Sequence, residues 1–305
     1  MSEALRHNQS LTHLNLSSNL FSEAGAESLR QALLDNKSIK SLDLSCNALG
    51  FRIIDSLKCS CGLKMQIRTN GNYVFEEILN SVSHGVGFIL AIIGSFVLVS
   101  EANATYATDF HFWACVLYSI SLNMLFLFSC LFHSFFMMPR TSRILQILDH
   151  VGIYLLIAGS YTPFMLIALH HVRAARLLII AEWVAAFFGS VFAACADLNS
   201  QLTNAIELVF FLVMGFGLVF VWDHILPNLG FEGTFLLLSG GAAYVVGIVF
   251  YILGEVRPIF HVIWHLFVLL AATLHWFCVY FFVVNKTIDL PGMIMSSFEK
   301  VMNES

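Results

Sequence analysis

The sequence predicts an all-α membrane protein: a bundle of seven transmembrane helices with a cytoplasmic N-terminus, preceded by a short α/β annex. Three observations support this fold class. Hydrophobic residues make up 58% of the 305-residue chain, and charged residues only 11%, whereas soluble domains carry about 25%. Seven long apolar segments follow one another from residue 78 onward. A polar repeat precedes them, so the composition excludes a soluble enzyme, a disordered chain and a coiled coil.

Charge and cysteine content exclude two further classes. The chain has 15 basic residues against 20 acidic ones and contains no basic run, which argues against nucleic-acid binding. Its seven cysteines have neither the paired spacing of a zinc finger nor the density of a disulfide scaffold. Residues 1–50 are polar, so we expect insertion to start at an internal apolar segment.

Residues 1–50 contain an internal repeat. Residues 11–19 (LTHLNLSSN) recur as residues 39–47 (IKSLDLSCN), a shift of 28 positions. The shared pattern L-x-L-x-x-N resembles leucine-rich repeats, in which the leucines face inward from a short strand and the asparagine (here Asn19 and Asn47) binds the backbone of the next turn. Between the copies, residues 23–35 are predicted to form a helix. The apolar face predicted for this helix consists of Ala26, Leu29, Leu33 and Leu34.

Two copies are fewer than the roughly three repeats that a stable stack needs. The annex is therefore predicted to be the tail of a longer array or a marginal cap. Two roles stay open at this point: a passive appendage, or a surface that binds a cytoplasmic protein partner.

Residues 51–77 are predicted to form a basic linker, residues 78–284 the membrane domain and residues 285–305 a polar tail outside the cytoplasm. Each apolar segment is close to or above the roughly 20 residues needed to cross a bilayer. Backbone polar groups cannot stay unpaired in lipid, so the segments are predicted to be helices. The predicted spans are 78–100, 112–136, 148–169, 174–195, 204–222, 234–253 and 259–284.

The distribution of lysine and arginine predicts the orientation of the bundle. With a cytoplasmic N-terminus, seven basic residues lie inside and four lie outside. The inside residues are Arg52, Lys58, Lys64, Arg68, Arg140, Arg143 and Arg257; the outside residues are Arg173, Arg176, Lys286 and Lys300.

Four ionisable side chains are expected in one layer near the cytoplasmic face. His133 ends the second span, Asp149 begins the third, and His261 and His265 begin the seventh. Such groups are costly against lipid, so they should face the bundle interior. The four-residue spacing of His261 and His265 places both imidazoles on one helix face, about 6 Å apart, which suits joint metal ligation.

His133 would supply a third nitrogen and leave one tetrahedral position open, which in catalytic zinc sites holds a water. Asp149 is then placed to accept a proton from this water or to orient it. Ser129, one turn before His133, is placed to bond the water or a substrate carbonyl. Spacing alone leaves a second interpretation open, in which the histidines form hydrogen bonds between helices.

Further polar groups accompany this cluster. A polar stripe on the first span is interpreted either as a packing face or as support for the metal ligands. The stripe consists of Glu77, Asn80, Ser81 and His84. Glu182 and Glu207 are the other carboxylates expected within the membrane, where each would line a cavity, be protonated or pair with a histidine.

Four stretches together resemble one family. Residues 76–85 (EEILNSVSHG) are similar to the start of the first helix in bacterial hemolysin III proteins. Residues 129–133 (SCLFH), 148–153 (LDHVGI) and 259–265 (IFHVIWH), the last followed by His275, resemble motifs of the progestin and adipoQ receptor family. The similarity covers residues 76–284, and the first-helix signature lies nearer the hemolysin III and macrophage-differentiation-like branch.

The resemblance implies seven helices, a cytoplasmic N-terminus and a zinc ion held by His133, His261 and His265. Ser129 and Asp149 match the positions that contact the water at the metal. The wider superfamily includes alkaline ceramidases, which implies hydrolysis of a lipid amide. The alternative is a receptor or signalling protein for a lipophilic ligand, with structural zinc. A haemolytic pore is disfavoured because the segments show no polar lining.

Overall fold

The computed structural model describes the annex, the membrane helices and part of the segment between them. The described residues are 1–16, 19, 23–44, 49, 53, 56–57, 66–68, 72–106, 110–136, 138–198, 200–254 and 257–285. Most of the predicted linker and residues 286–305 of the predicted tail lie outside them. The domain boundaries drawn from the sequence therefore stay predictions.

The described part of the annex contains three short parallel strands and two helices. Helices α1 and α2 span Ser2–His7 and Glu23–Asp35, and strands β1, β2 and β3 span His13–Asn15, Ser41–Asp43 and Gln66–Arg68. The strand order is β1-β2-β3, with Leu14 of β1 opposite Leu42 of β2. This pairing register equals the 28-residue repeat of the sequence. The third strand comes from the segment that the sequence predicts to be a linker.

The core of the annex consists mainly of apolar side chains from α2 and from the second copy of the repeat. Ala26 and Leu29 of α2 and Leu42 of β2 are fully buried, and Leu33 is 3% exposed. Leu34, predicted on the same helix face, is 53% exposed. Successive helical residues are about 100° apart, so a stripe through the other three positions leaves Leu34 outside the core.

Two asparagines one repeat apart organise equivalent turns. The side-chain oxygens of Asn8 and Asn36 each accept two backbone N–H groups. The Asn36 amide also donates to the carbonyl oxygens of Leu5 and Asn8, at 2.6 and 2.8 Å. These bonds tie the second repeat to the first. Asn47, to which the sequence assigned such a turn, lies outside the described residues.

The described part of the chain then contains six helical stretches long and apolar enough to cross a membrane. The helices are α3 Asn72–Tyr106, α4 Phe110–Ser134, α5 Pro139–Pro163, α6 Arg173–Cys195, α7 Gln201–Gly215, α8 Trp222–Gly254 and α9 Ile259–Cys278. π-Helical turns at Phe164–Ala168 and Val279–Val284 extend α5 and α9. The protein is therefore an integral multi-pass membrane protein.

The fifth and sixth predicted spans lie in one helical stretch of 53 residues, Leu202–Gly254. A 3₁₀ segment, Phe216–Val221, joins α7 to α8. Within α8, Gly230 has φ 69° and ψ −178°, a conformation that is essentially restricted to glycine. A regular helix cannot continue through this backbone, so the stretch consists of two helical parts that meet at a kink.

Helix α5 begins at Pro139, nine residues before the start predicted from hydropathy. Its first turns contain Thr141, Ser142 and Arg143, which continue the helix beyond the apolar segment. Proline suits the first position of a helix for two reasons. Its φ angle is already that of a helix, and the backbone N–H group that it lacks is one that the helix could not pair at this position. Hydropathy thus locates the span but not the start of the helix.

Glycines on α5 let it approach α4 closely. A Cβ added to Gly152 would lie 3.1 Å from the Cα of Leu125, and one added to Gly159 would lie 2.5 Å from the side chain of Ser121. Small residues permit such backbone contact between membrane helices. In this register the first turns of α5 lie beside the last turns of α4, which positions the residues described next.

Candidate metal centre

Three imidazole rings converge inside the bundle. His133 lies in the last turn of α4, and His261 and His265 lie in the first two turns of α9. One nitrogen of each ring lies within 4.8 Å of the other two. The ring centroids are 4.7 to 5.4 Å apart. His133 and His265 are 3% and 2% exposed, and His261 is half-buried.

Helix α3 supplies a carboxylate that fixes the ring of His133. The Nδ1 atom of His133 lies 2.7 Å from Oε2 of Glu77. A carboxylate in this position accepts the Nδ1–H proton, so the lone pair of the neutral ring is on Nε2. Nε2 has no hydrogen-bond partner among the described residues, so it is free to bind a cation.

The ring of His265 is held by the same helix. Its Nδ1 atom lies 3.3 Å from the backbone oxygen of Asn80 and 3.3 Å from the hydroxyl of Ser83. The carbonyl oxygen can only accept, so it selects the tautomer with a proton on Nδ1. As in His133, Nε2 is then the nitrogen with a lone pair.

His261 packs against the end of α8. A Cβ added to Gly254 would lie 3.3 Å from the Cβ of His261, so a glycine at this position makes room for the histidine backbone. The ring of Tyr251 lies on the same side, with centroids 6.1 Å apart. The contact between the end of α8 and the first turn of α9 thus holds the backbone of His261 in place.

Asp149 and Ser129 lie beside the imidazoles. Asp149 interacts with the hydroxyl of Ser129 and lies within electrostatic range of His133. Ser129 is 1% exposed, and the contact of Gly152 with Leu125 keeps its helix next to α5. Together with the three histidines, both side chains line one cavity. The structure therefore brings together all five side chains that the sequence predicts for the site.

The cavity extends from the imidazoles into an apolar channel. Its volume is about 830 Å³, within the roughly 300–1,000 Å³ of small-molecule pockets. Its far part is lined by residues of α5, α7 and α8, including Tyr161 and Leu237. At the rim, Phe216, Val219 and Val245 are between 44% and 67% exposed, so the cavity opens towards the lipid.

The polar stripe on α3 contributes more to this site than its spacing indicates. Glu77 and Asn80 contact two of the imidazoles, as described above, whereas Ser81 bonds to α4. The ring of His84 stacks on that of His265, with centroids 3.7 Å apart and an interplanar angle of 13°. The intervals of three and four residues within the stripe predicted that its side chains share one face of the helix. They did not predict which side chains of other helices that face contacts.

The two remaining membrane carboxylates have different surroundings. Glu207 pairs with His150, with Oε2 and Nδ1 2.6 Å apart, which is one of the outcomes that the sequence left open. Glu182 is 4% exposed and packs against Gly217 in the 3₁₀ segment. Its Oε2 has no hydrogen-bond partner among the described residues.

Two different family models match this chain, one over most of the membrane helices and the other over the annex. A family model described as haemolysin-III related matches residues 72–276, a range that contains all five side chains of the site. A model described as leucine rich repeat matches residues 7–29 and 35–52. The annex thus carries its own family signature.

Individual relatives are matched over nearly their full length. Hemolysin-3 of Bacillus cereus is 39% identical over 212 residues, which are 70% of this chain and 94% of the relative. Hemolysin-3 homolog of Bacillus subtilis (strain 168) is 36% identical over 210 residues, 69% of this chain and 95% of the relative. Monocyte to macrophage differentiation factor of Homo sapiens is 27% identical over 227 residues, 72% of this chain and 91% of the relative.

Proposed function

The chain belongs to the haemolysin-III-related family of membrane proteins, and on that premise we propose that it is a zinc-dependent hydrolase of lipid amide bonds. One observation carries the proposal: three imidazoles, two buried and one half-buried, lie beside a carboxyl group and a hydroxyl at one end of an apolar cavity. His133, His261 and His265 are the proposed zinc ligands. Asp149 and Ser129 are the proposed catalytic residues.

The donor set fits zinc. Neutral imidazole nitrogens are preferred zinc ligands, and catalytic zinc sites use three protein ligands with one open position. The His133 nitrogen that faces the cluster has no other partner among the described residues, and Glu77 holds the ring from behind. Such carboxylate–histidine contacts orient metal ligands and raise their basicity.

Asp149 and Ser129 are suited to amide hydrolysis. A bound zinc ion supplies a Lewis acid and lowers the pKa of a water to about 7. Asp149 accepts a proton from the attacking water and returns it to the nitrogen of the leaving amine. Ser129, which interacts with Asp149, orients the carboxylate. A carbon–oxygen bond forms and the carbon–nitrogen bond breaks, so the products are a fatty acid and an amine.

The cavity suits a lipid substrate such as a ceramide. Its rim is formed by exposed apolar side chains of α7, α8 and the segment between them, including Phe216, Val219 and Val245. An acyl chain can enter there from the bilayer and place its polar end at the imidazoles without passing through water. The substrate amide would then reach the metal while its chain stays in an apolar environment.

We further propose that the bundle crosses the membrane seven times with its N-terminus in the cytoplasm. As one straight helix, the stretch Leu202–Gly254 would be about 80 Å long, more than twice the roughly 30 Å of the hydrocarbon core. The kink at Gly230 supports two crossings instead. The excess of lysine and arginine on the predicted inner side supports the orientation.

A receptor for a lipophilic ligand, with a purely structural zinc ion, is the second candidate. The similarity to monocyte to macrophage differentiation factor favours it, because that name describes a factor in cell differentiation and not an enzyme. A structural zinc ion usually has four protein ligands and therefore no open coordination position. A receptor of this kind would hold zinc and bind lipid without turning it over, and the annex would recruit a cytoplasmic protein.

The Asp149→Asn variant tests the hydrolase proposal. Zinc per protein and release of palmitic acid from N-palmitoyl sphingosine are measured for purified wild type and variant. We expect about one zinc in both and a rate at least about 100-fold lower in the variant, because the asparagine cannot accept the proton. His171→Ala, which alters an exposed histidine, is the matched control and should keep the wild-type rate.

Equal rates in wild type and Asp149→Asn would contradict the catalytic role of Asp149. Zinc-loaded wild type that turns over no lipid amide would favour the receptor.

A further inference from the structure

Two side chains one turn apart on α3 have buried polar atoms without hydrogen-bond partners among the described residues. They are Oδ1 of Asn80 and both ring nitrogens of His84. Each residue is 3% exposed, and both line the cavity at the imidazole end. Buried polar atoms are nearly always paired in native proteins, so each unpaired one requires an explanation.

Support of the metal ligands does not account for these atoms. Asn80 holds His265 through its backbone oxygen, which leaves its side-chain amide without a role there. His84 contacts the same ring by stacking, through the face of its own ring. The edge contact with Phe126, at a centroid distance of 5.2 Å, fixes the His84 ring in its plane. His84 is also not part of the group of nitrogens that converge on one point.

The two groups form a complementary pair. A neutral imidazole carries an N–H donor, and the amide oxygen of Asn80 is an acceptor. Positions four apart on a helix have side chains about 6 Å apart, so a small group can bond to both. A secondary amide presents an acceptor, its carbonyl oxygen, and a donor, its N–H, on opposite sides of one bond.

We propose that Asn80 and His84 recognise the amide group of the substrate. His84 donates its N–H to the carbonyl oxygen, and Oδ1 of Asn80 accepts the amide N–H. An ester has the same carbonyl but no N–H, so Asn80 is the residue that selects amides over esters, whereas His84 contacts both. This inference rests on the proposed function, because it assumes that a lipid amide reaches the imidazoles.

The test uses a matched pair of probes. One is N-palmitoylethanolamine, and the other is the ester in which an oxygen replaces its amide N–H. Binding of each to zinc-loaded protein in detergent is measured by displacement of a fluorescent fatty acid, with Asp149→Asn present in every protein so that neither probe is hydrolysed, and zinc content is measured on the same samples. The variants are Asn80→Leu, which keeps the side-chain volume, and His84→Phe, which keeps the stacked ring.

Asn123→Leu is the control variant. It removes another membrane asparagine, whose amide donates to Ser95 and to the backbone of Ser119 on the far side of α4 from the cavity lining. It should leave the affinities of both probes unchanged.

We expect wild type to bind the amide about 10-fold more tightly than the ester, because the ester leaves the Asn80 oxygen unpaired. Asn80→Leu should weaken amide binding about 10-fold and leave ester binding unchanged, which removes the preference. His84→Phe should weaken both probes about equally, by about 5-fold. Zinc content should stay the same in all three variants.

Three results would overturn the inference: wild type without a preference for the amide, Asn80→Leu that keeps the preference, or losses of binding that follow loss of zinc. Its failure is distinguishable from failure of the proposed function. An amide preference that depends on Asn80, in a protein that hydrolyses nothing, would support the recognition pair and reject the hydrolase. Amide hydrolysis that is indifferent to Asn80 would do the reverse.

Discussion

Two buried histidine–carboxylate pairs lie in the described part of the bundle, with almost the same contact distance and very different surroundings. His133 of α4 lies 2.7 Å from Glu77 of α3, and His150 of α5 lies 2.6 Å from Glu207 of α7. The second nitrogen of His133 faces two more imidazoles, whereas His150 pairs with Glu207 and is not part of that converging group.

The difference teaches that convergence, rather than residue type, makes a candidate metal site. His150 follows Asp149 directly in the sequence, but neighbours on a helix point about 100° apart. Asp149 therefore faces the imidazoles while His150 faces α7. In the first pair the other ring nitrogen of the histidine faces two further imidazoles, whereas the second pair satisfies two polar groups between helices. Each variant below alters one pair and leaves the other as its control.

The largest expected effect separates the two histidines by zinc content. His133→Ala removes one of three proposed ligands, so we expect purified protein to contain almost no zinc after dialysis. His150→Ala should still contain about one zinc per protein, because its ring contributes no ligand. The measurement is elemental analysis of both variants beside wild type. Equal zinc content in the two variants would remove the distinction between the pairs.

The next effect concerns stability and is confined to the second pair. His150→Leu leaves Glu207, which is 1% exposed, buried without its partner, and we expect a loss of about 3–5 kcal/mol in the free energy of unfolding. Combining it with Glu207→Leu should recover most of that loss, because no unpaired polar group remains. Denaturant unfolding in detergent measures both. A double variant less stable than the single one would show that the pair stabilises the fold.

The smallest effect is a change in zinc affinity. Glu77→Gln keeps the size of the side chain but weakens its hold on the Nδ1–H of His133, so we expect a 10- to 100-fold loss of affinity, roughly the range seen when such supporting contacts are removed. Glu207→Gln, the same change in the other pair, should leave zinc affinity unchanged. Competition with a chelator of known affinity measures both variants. An equal loss in the two would mean that Glu77 acts through general stability.

The sequence predicts which residues carry the site better than it predicts how they are held. The His-x-x-x-His spacing and the position of each residue within its span were enough to predict that His133, His261 and His265 lie at one depth in the bundle. The contact between Glu77 and His133 could not be predicted, because it depends on how far each helix is rotated about its axis. That rotation is set by close contacts such as Gly152 against Leu125, which have no periodic signature.

Helix boundaries show the same limit. Hydropathy locates apolar segments, so it predicted a start at residue 148 for a helix that begins at Pro139. It separated two spans within the stretch Leu202–Gly254 but did not predict the kink at Gly230, because that backbone is set by local geometry and not by polarity. In the annex, the repeat predicted the register of β1 and β2. Strand β3 was missed because it pairs at a shift of 25 residues, outside the repeat.

X-ray absorption at the zinc edge of purified wild-type protein tests whether the three imidazoles bind one zinc ion. We predict about one zinc per chain, with three imidazole nitrogens at about 2.0–2.1 Å and one further light-atom ligand. A first shell containing sulfur, fewer than three imidazoles, or protein that binds no zinc would contradict the account.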